Sequence, residues 1–193
     1  ATITLTVSDS ATFAGGPILS TSTSFDLRVN ARPLAGVGTA LVLDGMHDAV
    51  RVNTNVLPFK GSFTVELWVQ ASTNAAGMPR TCVSQGTGSN AFALGFDALG
   101  RLRLGTNWVT TLPFPLGDWH HLAVVRDTTS TQIYVDGGLK TNQALALPHP
   151  PQTANFCIGA RPDGGSEFWL GRVDELRVWQ RALSATEIQQ STN

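Results

Sequence analysis

The residues best placed to do chemistry lie in one short stretch, Asp44-Gly45-Met46-His47-Asp48. Calcium takes six to eight hard oxygens from carboxylates, carbonyls and water, so a glycine-containing loop with two carboxylates is a natural host. The same stretch also reads as a type I′ hairpin turn, because Asp-Gly tolerates the positive φ such a turn needs. The histidines offer less. His120 and His121 are neighbours, so on a strand they point to opposite faces and cannot chelate one ion. His47 and His149 are isolated, and no zinc spacing occurs.

Catalytic constellations are missing from the pattern. A retaining glycosidase holds two carboxylates about 5–5.5 Å apart. Here Glu66 stands alone in its strand, while Asp174 and Glu175, being adjacent, face opposite ways. Neither a G-x-S-x-G elbow nor a phosphate-binding glycine loop occurs. No enzymatic activity is expected. Binding is better served. Asn90, Asn107 and Trp108 fall in rim loops, where the indole could stack on a sugar ring and the amides could bond its hydroxyls. Alternatively Trp108 plugs the rim, and the glycines of 86–90 and 163–166 only make turns. Trp119 and Trp179 read as core residues.

The elements that must position these residues are strands. Apolar residues make up 42% of the chain and charged residues 14%, with 13 Lys+Arg against 14 Asp+Glu and a net charge of −1. A balance that even offers no footprint for phosphate backbones, so nucleic acid is disfavoured. No stretch reaches the roughly 18 apolar residues of a membrane helix. The chain starts at Ala1 without a leader-like segment, which implies either removal of a leader or a piece of a longer protein.

Period-two runs at Ala1–Val7 and Ser22–Val29 predict an N-terminal pair of strands within residues 1–30. Residues 31–39 read as a linker, and residues 40–193 as the main domain. Strands are predicted there at Ala40–Leu43, Ala49–Val52, Phe63–Gln70, Thr81–Ser84, Ala91–Phe96, Leu102–Leu104, His120–Arg126, Gln132–Val135, Asn155–Ile158 and Gly171–Trp179. One helix is expected, opened by a capping box at Ser184 and Glu187. The fold class is all-β, a two-sheet antiparallel sandwich.

The order of segments carries more than any one of them. LVLDGMHDAVRV (41–52), SFTVELWV (62–69), LGFDALGRLRL (94–104), LGDWHHLAVV (116–125), IYVDG (133–137), CIGA (157–160) and GRVDELRVWQRALS (171–184) follow one another as in the laminin-G-like jelly rolls of the concanavalin-A-like superfamily. The chain resembles that family over roughly residues 40–190. The N-terminal pair resembles the last two strands of a bacterial immunoglobulin-like or cadherin-like repeat.

The resemblance implies a structural calcium, with Asp44, Gly45, Asp48 and Asp174 carried over as its site. It also implies an extracellular or cell-surface setting, where Cys82 and Cys157 could pair in a disulfide rather than remain two inert core thiols. The expected function is a non-catalytic extracellular module that binds glycan or a partner protein. The alternative is a structural subunit whose residues 1–30 add strands to a neighbour's sheet.

Overall fold

A computed structural model describes residues 2–8, 20–26, 39–58, 60–86, 91–105, 108–143, 155–162 and 165–192. The chain divides into two units, Ala1–Gly38 and Thr39–Asn193. In the first unit β1 (Thr2–Ser8) and β2 (Ser20–Asp26) pair antiparallel, Ile3 opposite Phe25 and Val7 opposite Thr21. The predicted end of that second strand, and all of the predicted linker but Thr39, lie outside the described residues.

The second unit is an all-β jelly-roll sandwich of two six-stranded antiparallel sheets. Its strands are β3 (Leu41–Asp44), β4 (Val50–Val52), β5 (Phe63–Ala71), β6 (Arg80–Gln85), β7 (Phe92–Phe96), β8 (Arg101–Leu104), β9 (Trp108–Pro113), β10 (Trp119–Arg126), β11 (Thr131–Val135), β12 (Gly138–Gln143), β13 (Phe156–Ile158) and β14 (Leu170–Trp179). The first sheet runs β12-β11-β10-β5-β14-β3, and the second runs β4-β13-β6-β7-β8-β9. Two of these strands, β9 and β12, carry no alternation strong enough to predict.

Strand β5 shows why the sequence folds this way. Phe63, Val65, Leu67, Val69 and Ala71 share one face and enter the core, while Thr64, Glu66, Trp68 and Gln70 take the outer face. Leu122 and Val124 of β10 lie opposite Leu67 and Val65, so the core continues across the strand pair. Each large apolar side chain buried this way contributes about 1.5–3 kcal/mol. Trp169, fully buried, fills the middle with its ring centroid 5.6 Å from Phe96 and 5.5 Å from Phe114.

Of the two readings of Trp108 the structure follows the one without a sugar, whereas the core assignments of Trp119 and Trp179 are overturned. Trp108 is 5% exposed and belongs to the core, with no open face for a sugar. Trp119 and Trp179 instead lie on the outer face of the first sheet, opposite Gln70 and Thr64, and Trp179 is 38% exposed. For Trp119 simple alternation from Leu122 is the reason. For Trp179 the cause is a bulge. The β14–β5 register slips between Asp174 and Arg177, with Glu175 at φ 50°, so every side chain beyond it changes face.

The cysteines also differ from expectation. Both are buried thiols and no disulfide joins them. Cys157 sits opposite Ser84, whereas the Cys82 thiol donates to the Leu94 carbonyl at 3.2 Å, towards β7 and away from β13. Burial pushes the Cys82 pKa up to about 12, so it stays an unreactive thiol. The predicted helix forms as α1 (Ala185–Gln190). Its capping box closes through Glu187 N to Ser184 Oγ at 3.3 Å and Ser184 N to Glu187 Oε2 at 2.8 Å.

Candidate functional site

Asp44 and Asp48 come together, but as the braces of a loop. Asp44 Oδ1 accepts from the amides of Met46, His47 and Asp48 at 2.8, 2.9 and 3.1 Å, and Asp48 Oδ2 accepts from Asp44 N at 3.2 Å. Those bonds hold the exposed Asp44 carboxyl down at about pKa 2. Asp174 does not join them. Register places Asp44 opposite Leu170, and Asp174 lies four residues further along β14, about 13 Å away at strand spacing. Its Oδ1 accepts from Glu175 N at 2.8 Å.

The four residues carried over as a calcium site therefore do not form one shell, and among the described residues no group of three or more acidic, His or Cys side chains could hold a metal. Asn90 and Asn107 lie outside the described residues.

The middle of the second sheet's outer face is held by ion pairs, while Val109 and Arg51 on its edge strands are exposed. Glu167, in the loop before β14, pairs with Arg103 of β8, lies 3.3 Å from Arg161, and accepts from Thr81 Oγ1 at 2.6 Å. Burial opposes its charge, yet the bonds from Arg103 and Thr81 and the charges of Arg103 and Arg161 hold its pKa below the usual glutamate value. Thr81, Ser84, Ala93 and Cys157 on this face are all buried.

The outer face of the first sheet is divided. Towards the C-terminal end of β14 it is covered by α1, where Leu183 and Ile188 pack on Ala123, Val125 and Tyr134. Glu66, 1% exposed, anchors that half. It accepts from Trp179 Nε1 at 3.0 Å, with Arg177 Nη1 3.7 Å away and His121 Nε2 at 3.5 Å. Burial pushes its pKa up; bonds from His121, Trp179 and Ser191 outweigh burial and leave it lowered.

The other half is open. Trp119, Gln70, Arg172 and Val42 form one row across four strands, each opposite the next. Between the halves a second row sets the buried His121 beside Trp68 and Asp174, with the Trp68 and His121 ring centroids 5.5 Å apart. At the end of this face lies an open groove of about 380 Å³, lined by Val42, Gln70, Ser72, Thr73, Leu170 and Arg172 among others.

Gly171 lets β14 lie close against β5 beside the groove. At φ 144° a side chain there would stand 2.0 Å from the Gln70 carbonyl oxygen. Gln70 Nε2 donates to Gly117 O at 2.8 Å, which fixes the amide and leaves its oxygen as an acceptor. Arg172 is exposed and makes no ion pair among the described residues. An indole, a fixed amide, two hydroxyls and a guanidinium on a shallow surface suit a flat ligand with both an apolar face and many hydroxyls.

A smaller cleft of about 310 Å³ opens beside His120, Asp136 and Lys140, where His120 Nδ1 lies 2.8 Å from Asp136 Oδ2. It is mostly apolar.

Sequence reasoning missed this open row because it depends on register between strands far apart in the chain. One signal was present. Trp68 and Gln70 fall on the polar side of β5's alternation, and an indole on the face away from the core asks for an explanation.

Comparison with known proteins agrees with the sandwich. No curated protein matches the chain. Among solved structures, domain 4 of AbnA, a GH43 extracellular arabinanase from Geobacillus stearothermophilus solved with arabinotriose, is 23% identical. That match covers 82% of this chain and 78% of that one, with a TM-score of 0.66. A heptameric SAP-like pentraxin from Limulus polyphemus is 17% identical over 79% of this chain and 80% of its own, TM-score 0.59. The CBM40 of a Ruminococcus gnavus IT-sialidase bound to α2,3-sialyllactose is 14% identical over 69% and 83%, TM-score 0.56. A laminin-G-like family profile described as the concanavalin A-like lectin/glucanases superfamily matches residues 44–189, most of the chain, and on that match the chain belongs to this family.

Proposed function

We propose that this chain is a non-catalytic, extracellular carbohydrate-binding module that takes its glycan on the open half of the first sheet's outer face. The observation that carries this reading is the row Trp119–Gln70–Arg172 leading into the groove, an aromatic platform followed by hydrogen-bonding groups held by the sheet. Sugars present flat C–H faces to indoles and hydroxyls to amides and guanidinium groups, so the row matches both sides of their chemistry. Two of the structurally similar domains were solved with oligosaccharides, which supports the same reading. The carboxylates do not favour catalysis. Glu66 is buried and spent on Trp179, and Glu167 is spent on two arginines.

A glycan array followed by calorimetry with arabinotriose and α2,3-sialyllactose tests it. Binding of at least one glycan is expected, with Trp119→Ala and Gln70→Ala each weakening it roughly tenfold, about 1.4 kcal/mol. An array with no hits sinks the proposal. So does binding that both variants leave intact.

A further inference from the structure

We infer that the guanidinium of Arg80 is a built-in cation that clamps the end of the sandwich where the groove opens, so that this end is held without calcium. Arg80 is the first residue of β6 in the second sheet and is 8% exposed. Its Nη1 donates to Gly45 O at 2.7 Å and to Phe168 O at 2.7 Å, and its Nε donates to Ala75 O at 3.4 Å. These carbonyls come from three separate places: the loop after β3, the loop before β14, and the short 3-10 helix Thr73–Ala75.

Backbone oxygens from unrelated segments converging on one positive charge is the arrangement by which a divalent ion ties loops together. Among the described residues Arg80 has no carboxylate partner, so carbonyl dipoles alone compensate it. Arginine stays charged at neutral pH and carries five donors, which allows one side chain to satisfy several loops.

The local sequence is fitted to this. Gly45, at φ 75°, would place a Cβ 2.9 Å from Arg80 Nη1 and 2.7 Å from Leu170 Cβ, so only glycine lets the loop reach the guanidinium. Asp44 Oδ1 meanwhile accepts from three loop amides, which closes the loop whose Gly45 carbonyl meets Arg80. Since β3 and β14 belong to one sheet and β6 to the other, Arg80 joins the two layers. Leu43, Leu170 and Gly171, which line the groove, lie within three residues of the clamped carbonyls of Gly45 and Phe168. The inference concerns how this end of the sandwich is held and stands apart from the binding reading above.

The test separates the two. On the full chain, thermal unfolding and calorimetry are run with calcium chloride and with EDTA, and amide exchange is followed by mass spectrometry. The expected result is one unfolding midpoint in both conditions and no calcium-dependent protection of residues 44–48. Arg80→Met, similar in length but uncharged, should speed exchange at residues 45–48 and 168–170 by about tenfold to a hundredfold, the loss of charged hydrogen bonds. Arg80→Lys should restore part of it.

Calcium raising the wild-type midpoint, or slowing exchange at residues 44–48, overturns the inference. Unchanged exchange in Arg80→Met does the same. None of these readouts involves a glycan, so they can fail while the binding proposal stands, and the reverse.

Discussion

The two sheets turn outer faces of opposite character to their surroundings. On the second sheet, small and polar residues are sealed beneath a loop locked by Glu167, Arg103 and Arg161. On the first, α1 and Glu66 close one half and leave Trp119, Gln70 and Arg172 open in the other. The difference teaches how to rank polar clusters in a β-sandwich. Charges that satisfy one another under a loop hold the fold, whereas a row that the described residues leave partly exposed is the candidate for binding.

Breaking the sealed face should cost most. Glu167→Ala leaves Arg103 and Arg161 without their shared carboxylate and should destabilise the domain by about 3–5 kcal/mol in urea unfolding. A loss under about 1 kcal/mol would show that this face is not locked. Glu66→Ala, which frees the Trp179 indole, should cost about 1.5–3 kcal/mol for the lost charge-assisted bond. Near-ultraviolet circular dichroism should report the released tryptophan at the same time.

Ser184→Ala removes the helix cap on the covered half and should cost about 1 kcal/mol. By contrast, Trp119→Ala on the open half should change stability by less than ~1 kcal/mol. If Trp119→Ala instead costs as much as Glu167→Ala, the open row is structural and the contrast between the faces collapses.

Acid gives the smallest effect. Asp44 has a folded-state pKa of about 2 against an ordinary 3.8, so its contribution is complete above about pH 4 and is lost as pH falls through about 2. Glu187, lowered from 4.5 to about 2 mainly by Arg181, follows the same sign at the helix cap. The protection of the Met46–Asp48 amides, relative to their intrinsic exchange rates, should therefore fall as pH drops from about 4 towards 2 in the wild type and be lost at neutral pH in Asp44→Ala.

Much of the fold was legible because apolar residues alternate along β5, because β10 carries a continuous apolar run, and because Ser184 and Glu187 spell a cap. What escaped has physical causes. Strand β9 sets Trp108 beside Val109 and ends in proline, so its residue types hide the alternation its burial shows, and β12 opens on glycine with mostly polar residues after it. The bulge at Glu175 reverses the faces of Arg177 and Trp179, and no local pattern announces a bulge. Asp174 lies apart from Asp44 and Asp48 because of register, since its spacing from Asp44 depends on which residue of β14 meets β3. Arg80 and Glu167 went unseen because their partners are distant in sequence.

One feature of the topology bears on how the chain reaches this state. Strand β14, close to the end of the domain, is inserted between β5 and β3. Leu41, among its first residues, pairs with Val173, among its last. As the chain is synthesised, the first sheet must wait with a gap in its middle until β14 emerges, and the apolar edges of β3 and β5 are open to wrong partners throughout. Pairings so non-local slow folding, and they leave intermediates prone to aggregation. Truncating the C-terminal segment should therefore show itself first as insoluble protein.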